Sequence, residues 1–339
     1  MSIWSQINKS NLAHPLQYNL QDLANEIRNN PTNNINLDTM SVKPILLLHL
    51  NLQSIRNKLS ELDIFLDEFP CHILCVNEHW LSKDEINLYI PANYKLATIY
   101  CRKTLSHGGV AIYVKSDITN YKILDVDNYS MDEVFEVTGI LFSTIKLIVL
   151  SIYRTPDSDA SVFITQWEKL TKYIERYKHY KVVYMGDINI NVLNDTPTKN
   201  VFCDTLRSLD YYYINDQPTR KKSCLDNAIT NMQKPELACG TIEPYLSDHR
   251  GLWLTITVPR NDKITTKQIS YRLLHETNIM LLRSKLNELD VHEVLNCSNV
   301  SEAWKLFVRN VSNRLNECCP RKVKTVNEGM SKQNNQVGS

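Results

Sequence analysis

A chain of 339 residues, 43% hydrophobic and 22% charged, has a globular rather than a disordered composition and can bury one large core or two modest ones. A formal net charge of +1 excludes a global electrostatic claim on nucleic acid, so such a partner must meet a local patch. Nine cysteines without a repeated spacing form neither a disulfide framework nor a zinc motif, and no apolar leader or signal peptide follows Met1, so an intracellular, reducing location is expected.

In chain order, residues 1–40 are Asn-rich and read as a weakly ordered segment with a short helix near "LQDLANEIR". From residue 44 short apolar runs recur: 44–50, 72–78, 94–101, 108–115, 133–142, 146–154, 181–190, 224–230 and 251–258 all read as strands. The longest, such as "LIVLSIY", are strand-sized and too short to span a membrane. Between them, 54–69 carries Ile55, Leu59, Leu62 and Leu66 at helical spacing with Ser54 as its expected cap. In 161–177 a stripe of Phe163, Trp167, Leu170 and Ile174 predicts a core-facing helix capped by Ser161, and 198–210 is a third helix. Nine strands against so few helices exclude a strictly alternating parallel fold. Neighbours such as 94–101 and 108–115, joined across "SHGG", predict antiparallel or mixed sheets packed face to face with helices outside. After about residue 260 strands are expected to stop. Amphipathic helices 273–290 and 300–319 form a helical extension over 261–320, and 321–339 reads as a disordered polar tail.

Several apolar runs end in groups that can do chemistry: Asn51, Glu78, Tyr153-Arg154, Asp187 with Asn189, Asp226, and Asp248-His249 before the last strand. Each alone has an ordinary alternative: a turn residue, the first solvated carboxylate, a half-buried phenol, or an imidazole bonded to a nearby carbonyl. Lys58 and "RKK" (220–222) offer local positive charge, with a merely solvated surface as the alternative.

The order and wording of these ends carry a resemblance. "NEHW", "SIYRTP", "GDIN" and "SDHRG", with "LHLNLQSIRNKLSELDIFL", "GGVAIYVK" and "SCLDNAIT", resemble the endonuclease/exonuclease/phosphatase superfamily. The nearest likeness is to the apurinic-endonuclease-like domain of jockey-like non-LTR retrotransposons, over roughly residues 44–258, with 261–319 similar to the connector that follows it. Related elements often read GDFN, and a double proline after Tyr-Arg, where this chain has "GDIN" and "YRTP". No reverse-transcriptase domain follows in this chain, so a truncated element or a derived host gene is expected.

The resemblance implies an α/β fold, a four-layered sandwich of two mixed sheets, and hydrolysis of a DNA phosphodiester with Mg²⁺ (Mn²⁺ as substitute) in the nucleus. It implies Glu78, Asn51 and Asp248 at the metal. His249, Asp187, Asn189, Tyr153 and Asp226 become the catalytic groups, with Asp226 holding the His249 imidazole. Asn189 also bonds the scissile phosphate, and beside the resemblance local charge offers Arg154, Arg220 and Lys221 as substrate contacts, with a solvated surface as the alternative. Whether Asp187 or His249 is the base stays open. Two other functions stay open as well: a superfamily phosphatase or phosphodiesterase on phosphoinositide or lipid, and a catalytically silent module whose helices 273–319 serve a protein partner.

Overall fold

The computed structural model describes residues 20–29, 44–103, 107–257, 266–272 and 274–327. The chain divides into two units, Met1–Arg260 and Asn261–Ser339. Most of the Asn-rich stretch 1–40 and the end of the polar tail, 328–339, lie outside the described residues.

The first unit runs α1 (Leu20–Asn29), β1 (Ile45–Asn51), α2 (Leu59–Glu68), β2 (Ile73–Asn77), β3 (Tyr94–Tyr100) and β4 (Val110–Lys115). It continues through β5 (Lys122–Leu124), β6 (Phe135–Phe142), β7 (Leu147–Arg154), α3 (Ala160–Ile174), β8 (Lys181–Asp187) and α4 (Pro197–Ser208). It closes with β9 (Tyr212–Tyr213), β10 (Asp226–Thr230), β11 (Leu237–Ile242) and β12 (Gly251–Ile256). Two six-stranded sheets result, ordered β11-β12-β1-β2-β4-β3 and β5-β6-β7-β8-β10-β9. Each holds one parallel pair, β1 with β2 and β7 with β8, and is otherwise antiparallel.

Side chains alternate faces along a strand, so one strand can feed two cores. In β1, Ile45 and Leu47 join Ile73, Val149, Val183 and Leu254 in a layer drawn from both sheets. Leu46, Leu48 and Leu50 turn the other way, onto Leu62, Phe65 and Leu66 of α2. In the second sheet Ile148, Leu150 and Tyr184 pack under Phe163, Trp167 and Phe202 of α3 and α4. The order is helix, sheet, sheet, helix, the four-layered α/β sandwich read from the sequence.

All nine expected strands form, and three short ones join them. Lys122–Leu124 and Tyr212–Tyr213 are edge strands too short to show a period, and Leu237–Ile242 is an edge strand whose apolar pattern is interrupted in sequence by Gly240. Two expected caps move. Asp159, not Ser161, caps α3, accepting from the Ser161 amide at 2.8 Å. The helix expected from Ser54 starts only at Leu59 because Gln53, Ser54 and Asn57 adopt left-handed φ values of 46°, 80° and 62°. There the chain stays tied to the end of β2: Leu52, Ser54 and Ile55 amides donate to Asn77, Glu78 and His79 carbonyls at 3.1, 2.8 and 3.2 Å.

Gly186 pairs with Ile152, and a Cβ there would meet the Ile152 carbonyl oxygen at 1.8 Å, which no side-chain motion relieves. Gly186→Ala is expected to lower the unfolding free energy by about 3 kcal/mol, read by urea denaturation. A loss below about 1 kcal/mol would show that β7 and β8 are not packed this closely.

In the second unit β13 (Thr266–Arg272) precedes α5 (Glu276–Asn287), α6 (His292–Leu295), α7 (Val300–Cys318) and β14 (Arg321–Asn327). The expectation that strands stop after 260, with a disordered tail from 321, fails at this point. β13 and β14 pair antiparallel from Thr266↔Asn327 to Arg272↔Arg321. Both are polar and neither shows a strand period alone; they form because the helices between them return the chain to its partner. Arg272 closes the hairpin, donating to the Cys319 carbonyl at 2.8 Å and to Asn316 Oδ1 at 2.7 Å. Trp304, stacked on Phe307, remains 63% exposed. No helix among the described residues is long and apolar enough to cross a membrane.

Candidate active site

The apolar layer between the sheets ends in a polar one. Continuing the inward row of Ile45 and Leu47 along β1 brings His49 and Asn51; continuing Ile73 and Cys75 brings Asn77. The same two-residue step after Leu147 and Val149 brings Ser151 and Tyr153, and after Val183 and Met185 it brings Asp187. Asp226 precedes Ala228 on the same face of β10. Register then aligns them: Asn51 lies beside Asn77, Tyr153 beside Asp187, and Asp187 beside Asp226. The chemistry-bearing groups are the last inward positions of neighbouring strands.

The sheets are stitched together at this level. Asn51 Nδ2 donates to Glu78 Oε1 at 2.9 Å and to Asp187 Oδ2 at 3.0 Å. Asn77 Oδ1 accepts from the Asp187 amide at 2.8 Å, and Asn77 Nδ2 donates to Ser151 Oγ at 3.2 Å. His249 Nδ1 donates to Asp226 Oδ2 at 2.9 Å, while Nε2 stands 3.9 Å from Asp187 Oδ2 and 3.8 Å from Asp248 Oδ1. Asp187, Asp226 and His249 thus place ligand-type atoms within 4.8 Å of one another, all buried.

Glu78 needs a backbone exception. It follows the inward Asn77, so alternation would turn it away; a φ of +52° turns its carboxylate back onto Asn51. Trp80 is also left-handed, at φ +58°, and its indole Nε1 donates to Glu78 Oε2 at 3.1 Å. Between them His79 is a buried anchor: its Nδ1 accepts from the Leu81 amide at 2.9 Å and its Nε2 donates to the Tyr100 carbonyl at 3.0 Å. Its ring lies so close over Gly109 that a Cβ there would meet Nε2 at 2.3 Å. Two strained residues around a locked imidazole aim the carboxylate.

Burial lowers the His79 pKa to about 4, so the fold requires the neutral ring. A depressed histidine contributes stability that is present above its unfolded pKa of about 6.5 and is lost as pH falls through 4. Urea unfolding should lose about 3 kcal/mol from this group across that window, and NMR should show His79 neutral at pH 5. Titration of His79 near pH 6.5 would sink the prediction.

Charge is unevenly compensated. Burial opposes the Asp226 charge, but hydrogen bonds from His249 and His49 outweigh it and hold its carboxyl well below the usual range. Burial likewise works to lower His249, yet the Asp226 bond and charge bring it up to about 9. Burial, then the negative Asp226, push Asp187 well above a normal carboxylate. Burial first, then the nearby carboxylates, drive the Tyr153 phenol upward, and its hydroxyl bonds Glu78 as a neutral donor. Among the described residues, neither Glu78 nor Asp187 is ion-paired with a lysine or arginine. Hard carboxylate and amide oxygens of this kind fit a divalent cation.

Asn51, Glu78, Tyr153, Asp187, Asp226, Asp248 and His249 are therefore brought together. Asn189 is adjacent: its amide N–H donates to Asp187 Oδ1 at 3.0 Å, but its side chain donates to the Arg154 carbonyl at 2.7 Å. Arg154 is not brought into the cluster. It is 5% exposed on the outer face of β7, donates to the Asn189 carbonyl at 2.9 Å and to the Ser158 carbonyl, and packs on Phe163. Arg220 sits at the rim, donating to Asp248 Oδ2 at 2.8 Å, and Lys221 is an exposed turn residue with φ +52°. Lys58 donates to the Leu52 and Gln53 carbonyls at 2.6 and 3.2 Å, bracing the loop beside Glu78. His49, Asn77, Ser151 and the Trp80 indole went unread as site residues. The signal available was the two-residue step back from Asn51 and Tyr153 for His49 and Ser151, and the place directly before Glu78 at the end of the same run for Asn77. A cavity of about 570 Å³ lined by Arg28, Asp63, Tyr94, Lys115 and Asp117 lies at the opposite end of the first sheet and holds none of these groups.

No protein-family model matches the chain, and no curated protein sequence does either. Solved structures do. The endonuclease domain of TRAS1, a telomere-specific non-LTR retrotransposon, superposes with a TM-score of 0.50 at 19% identity, covering 64% of this chain and 99% of that one. A 3′-5′ exonuclease from Neisseria meningitidis gives 0.49 at 16% identity over 62% of this chain and 99% of its own. The Xenopus laevis APE2 catalytic domain gives 0.49 at 14% identity over 64% and 94%. The layer order, the two sheets and the superposition lead to one statement: this chain has the fold of the endonuclease/exonuclease/phosphatase superfamily.

Proposed function

We propose that the chain is a metal-dependent endonuclease that nicks DNA, leaving a 3′-hydroxyl for a reverse transcriptase to extend. The observation that carries this reading is the polar end of the inter-sheet layer. There Glu78 and Asn51 face Asp187, with His249 held by Asp226 and Tyr153 alongside. The likeness to a retrotransposon endonuclease domain supports the choice of DNA as substrate.

Glu78 and Asn51, with Asp248 at the rim, would hold Mg²⁺ or Mn²⁺. Bound there, the cation supplies Lewis acidity at the phosphate and charge for the departing oxygen. The protein's groups divide the remaining work by protonation. His249, raised to about 9, carries its proton at neutral pH and donates to phosphate oxygen as negative charge develops. Asp187, held by Asn51 and by the Asn189 amide and facing His249 Nε2 at 3.9 Å, would take the proton of the attacking water. Asn189 and the neutral Tyr153 phenol steady the phosphate, with Arg220 and Lys221 at the DNA backbone and Arg154 holding the Asn189 loop. The exposed Trp304–Phe307 stack supports a protein partner for the helical unit, and the nucleus is the expected place of action.

The full chain incubated with supercoiled plasmid and Mg²⁺ should yield nicked circles whose ends a polymerase extends, and EDTA should stop the reaction. Folded protein that leaves plasmid intact in both Mg²⁺ and Mn²⁺ would overturn the reading.

A further inference from the structure

The Asp226 carboxylate is held by two imidazoles, and only one belongs to the catalytic set named above. His49 Nε2 bonds Asp226 Oδ1 at 2.9 Å, while His249 Nδ1 bonds Oδ2 at 2.9 Å. All three side chains are buried, His49 and Asp226 at 0% exposure and His249 at 2%. Both histidines belong to the first sheet, in β1 and just before β12, whereas Asp226 opens β10 of the second. The carboxylate is therefore gripped across the gap between the sheets, one oxygen by each ring.

We propose that His49 is a positioning residue: its Nε2–H pins one oxygen of Asp226 so that the other stays aligned on His249. The inference rests on the nuclease reading of the site. Position 49 continues the inward row of Ile45 and Leu47, where an aliphatic side chain would pack without a polar atom. A buried ring is retained there although, among the described residues, its Nδ1 has no hydrogen-bond partner. Its one bond among those residues is to Asp226, and that bond requires the proton on Nε2. A carboxylate with one donor pivots about its side-chain torsion; with two donors on opposite oxygens, its plane is set. The His249 ring then inherits a fixed tautomer and a fixed direction for Nε2, the atom that faces Asp187 at 3.9 Å. Asp226 is also tied through its backbone, its amide donating to Thr219 Oγ1 at 3.0 Å, so the side-chain torsion is the freedom that His49 removes.

Three variants of the full chain test this. His49→Leu should lower kcat for plasmid nicking about tenfold with KM unchanged, and His49→Gln, which presents an N–H at similar reach, should restore it to within about threefold of wild type. In an Asp226→Ala background, His49→Leu should have no further effect, because the residue acts through that carboxylate. Independently of activity, ¹⁵N–¹H spectra should show protonated, hydrogen-bonded Nε2 at His49 and Nδ1 at His249. The His249 signal should move in His49→Leu and return in His49→Gln. An unchanged His249 signal and unchanged kcat in His49→Leu would overturn the proposal, as would an equal further loss in the Asp226→Ala background. Should wild type fail to nick DNA at all, the nuclease reading falls, and the imidazole spectra alone decide the role of His49.

Discussion

His249→Ala should reduce single-turnover DNA nicking by about 10³-fold while leaving the protein folded and DNA binding within a fewfold of wild type. The imidazole sits at the meeting point of three carboxylates: bonded to Asp226 and facing Asp187 and Asp248 through Nε2. Alanine removes the imidazole whose Nε2 faces Asp187 at 3.9 Å, so the charge developing on phosphate oxygen loses its donor. It also leaves Asp187 raised further, because the His249 charge that offsets Asp226 there is gone. The fold survives because Asp226 keeps the His49 bond, so the stability cost is that of one buried hydrogen bond, about 1–3 kcal/mol. Nicking assays under saturating protein, with circular dichroism as control, read the effect. Activity within tenfold of wild type would remove His249 from the chemistry.

Glu78→Gln is expected to cost about 10³-fold in the same assay and to raise the Mg²⁺ concentration for half-maximal nicking by more than tenfold. The substitution is nearly isosteric, and its single amide oxygen can still accept from Asn51 or Trp80 but not from both, so the shape is retained while the negative charge and one acceptor are lost. That charge has no lysine or arginine ion-paired with it among the described residues, which is why its removal should weaken cation binding more than it perturbs the fold. Thermal unfolding supplies a readout apart from activity. Mg²⁺ should raise the Tm of wild type and leave that of Glu78→Gln unmoved. An equal Mg²⁺ shift in both proteins would place the cation elsewhere.

The difference between Arg154 and His49 shows what local sequence can convey. Arg154 follows Tyr153 at a strand end and reads as a phosphate contact, yet alternation sends it to the outer face, under α3, where it braces the Asn189 loop. His49 lies inside an apolar run and reads as core, yet the same alternation sends it inward to Asp226. Neither is distinguishable in a one-dimensional string, because the partner that gives each its meaning lies 35 residues away for Arg154 and 177 for His49. Glu78 was legible as a strand-end carboxylate, but the left-handed turn that aims it depends on His79, Gly109 and Tyr100, which come from separate segments.

By itself the sequence determined the nine principal strands, the apolar stripes of α2 and α3, and the order of the polar strand ends. These are written in periods of two and 3.6, and each period follows from backbone geometry alone. Its likeness to the endonuclease/exonuclease/phosphatase superfamily rested on that order. Tertiary structure alone decided the short edge strands β5, β9 and β11, the pairing of β13 with β14, the cap at Asp159, the start of α2 at Leu59, and which polar residues meet. Those outcomes depend on partners supplied by distant chain. Asp226 between two imidazoles, held 2.9 Å from each, is such an outcome: three residues far apart in sequence become one device only when two sheets close on each other.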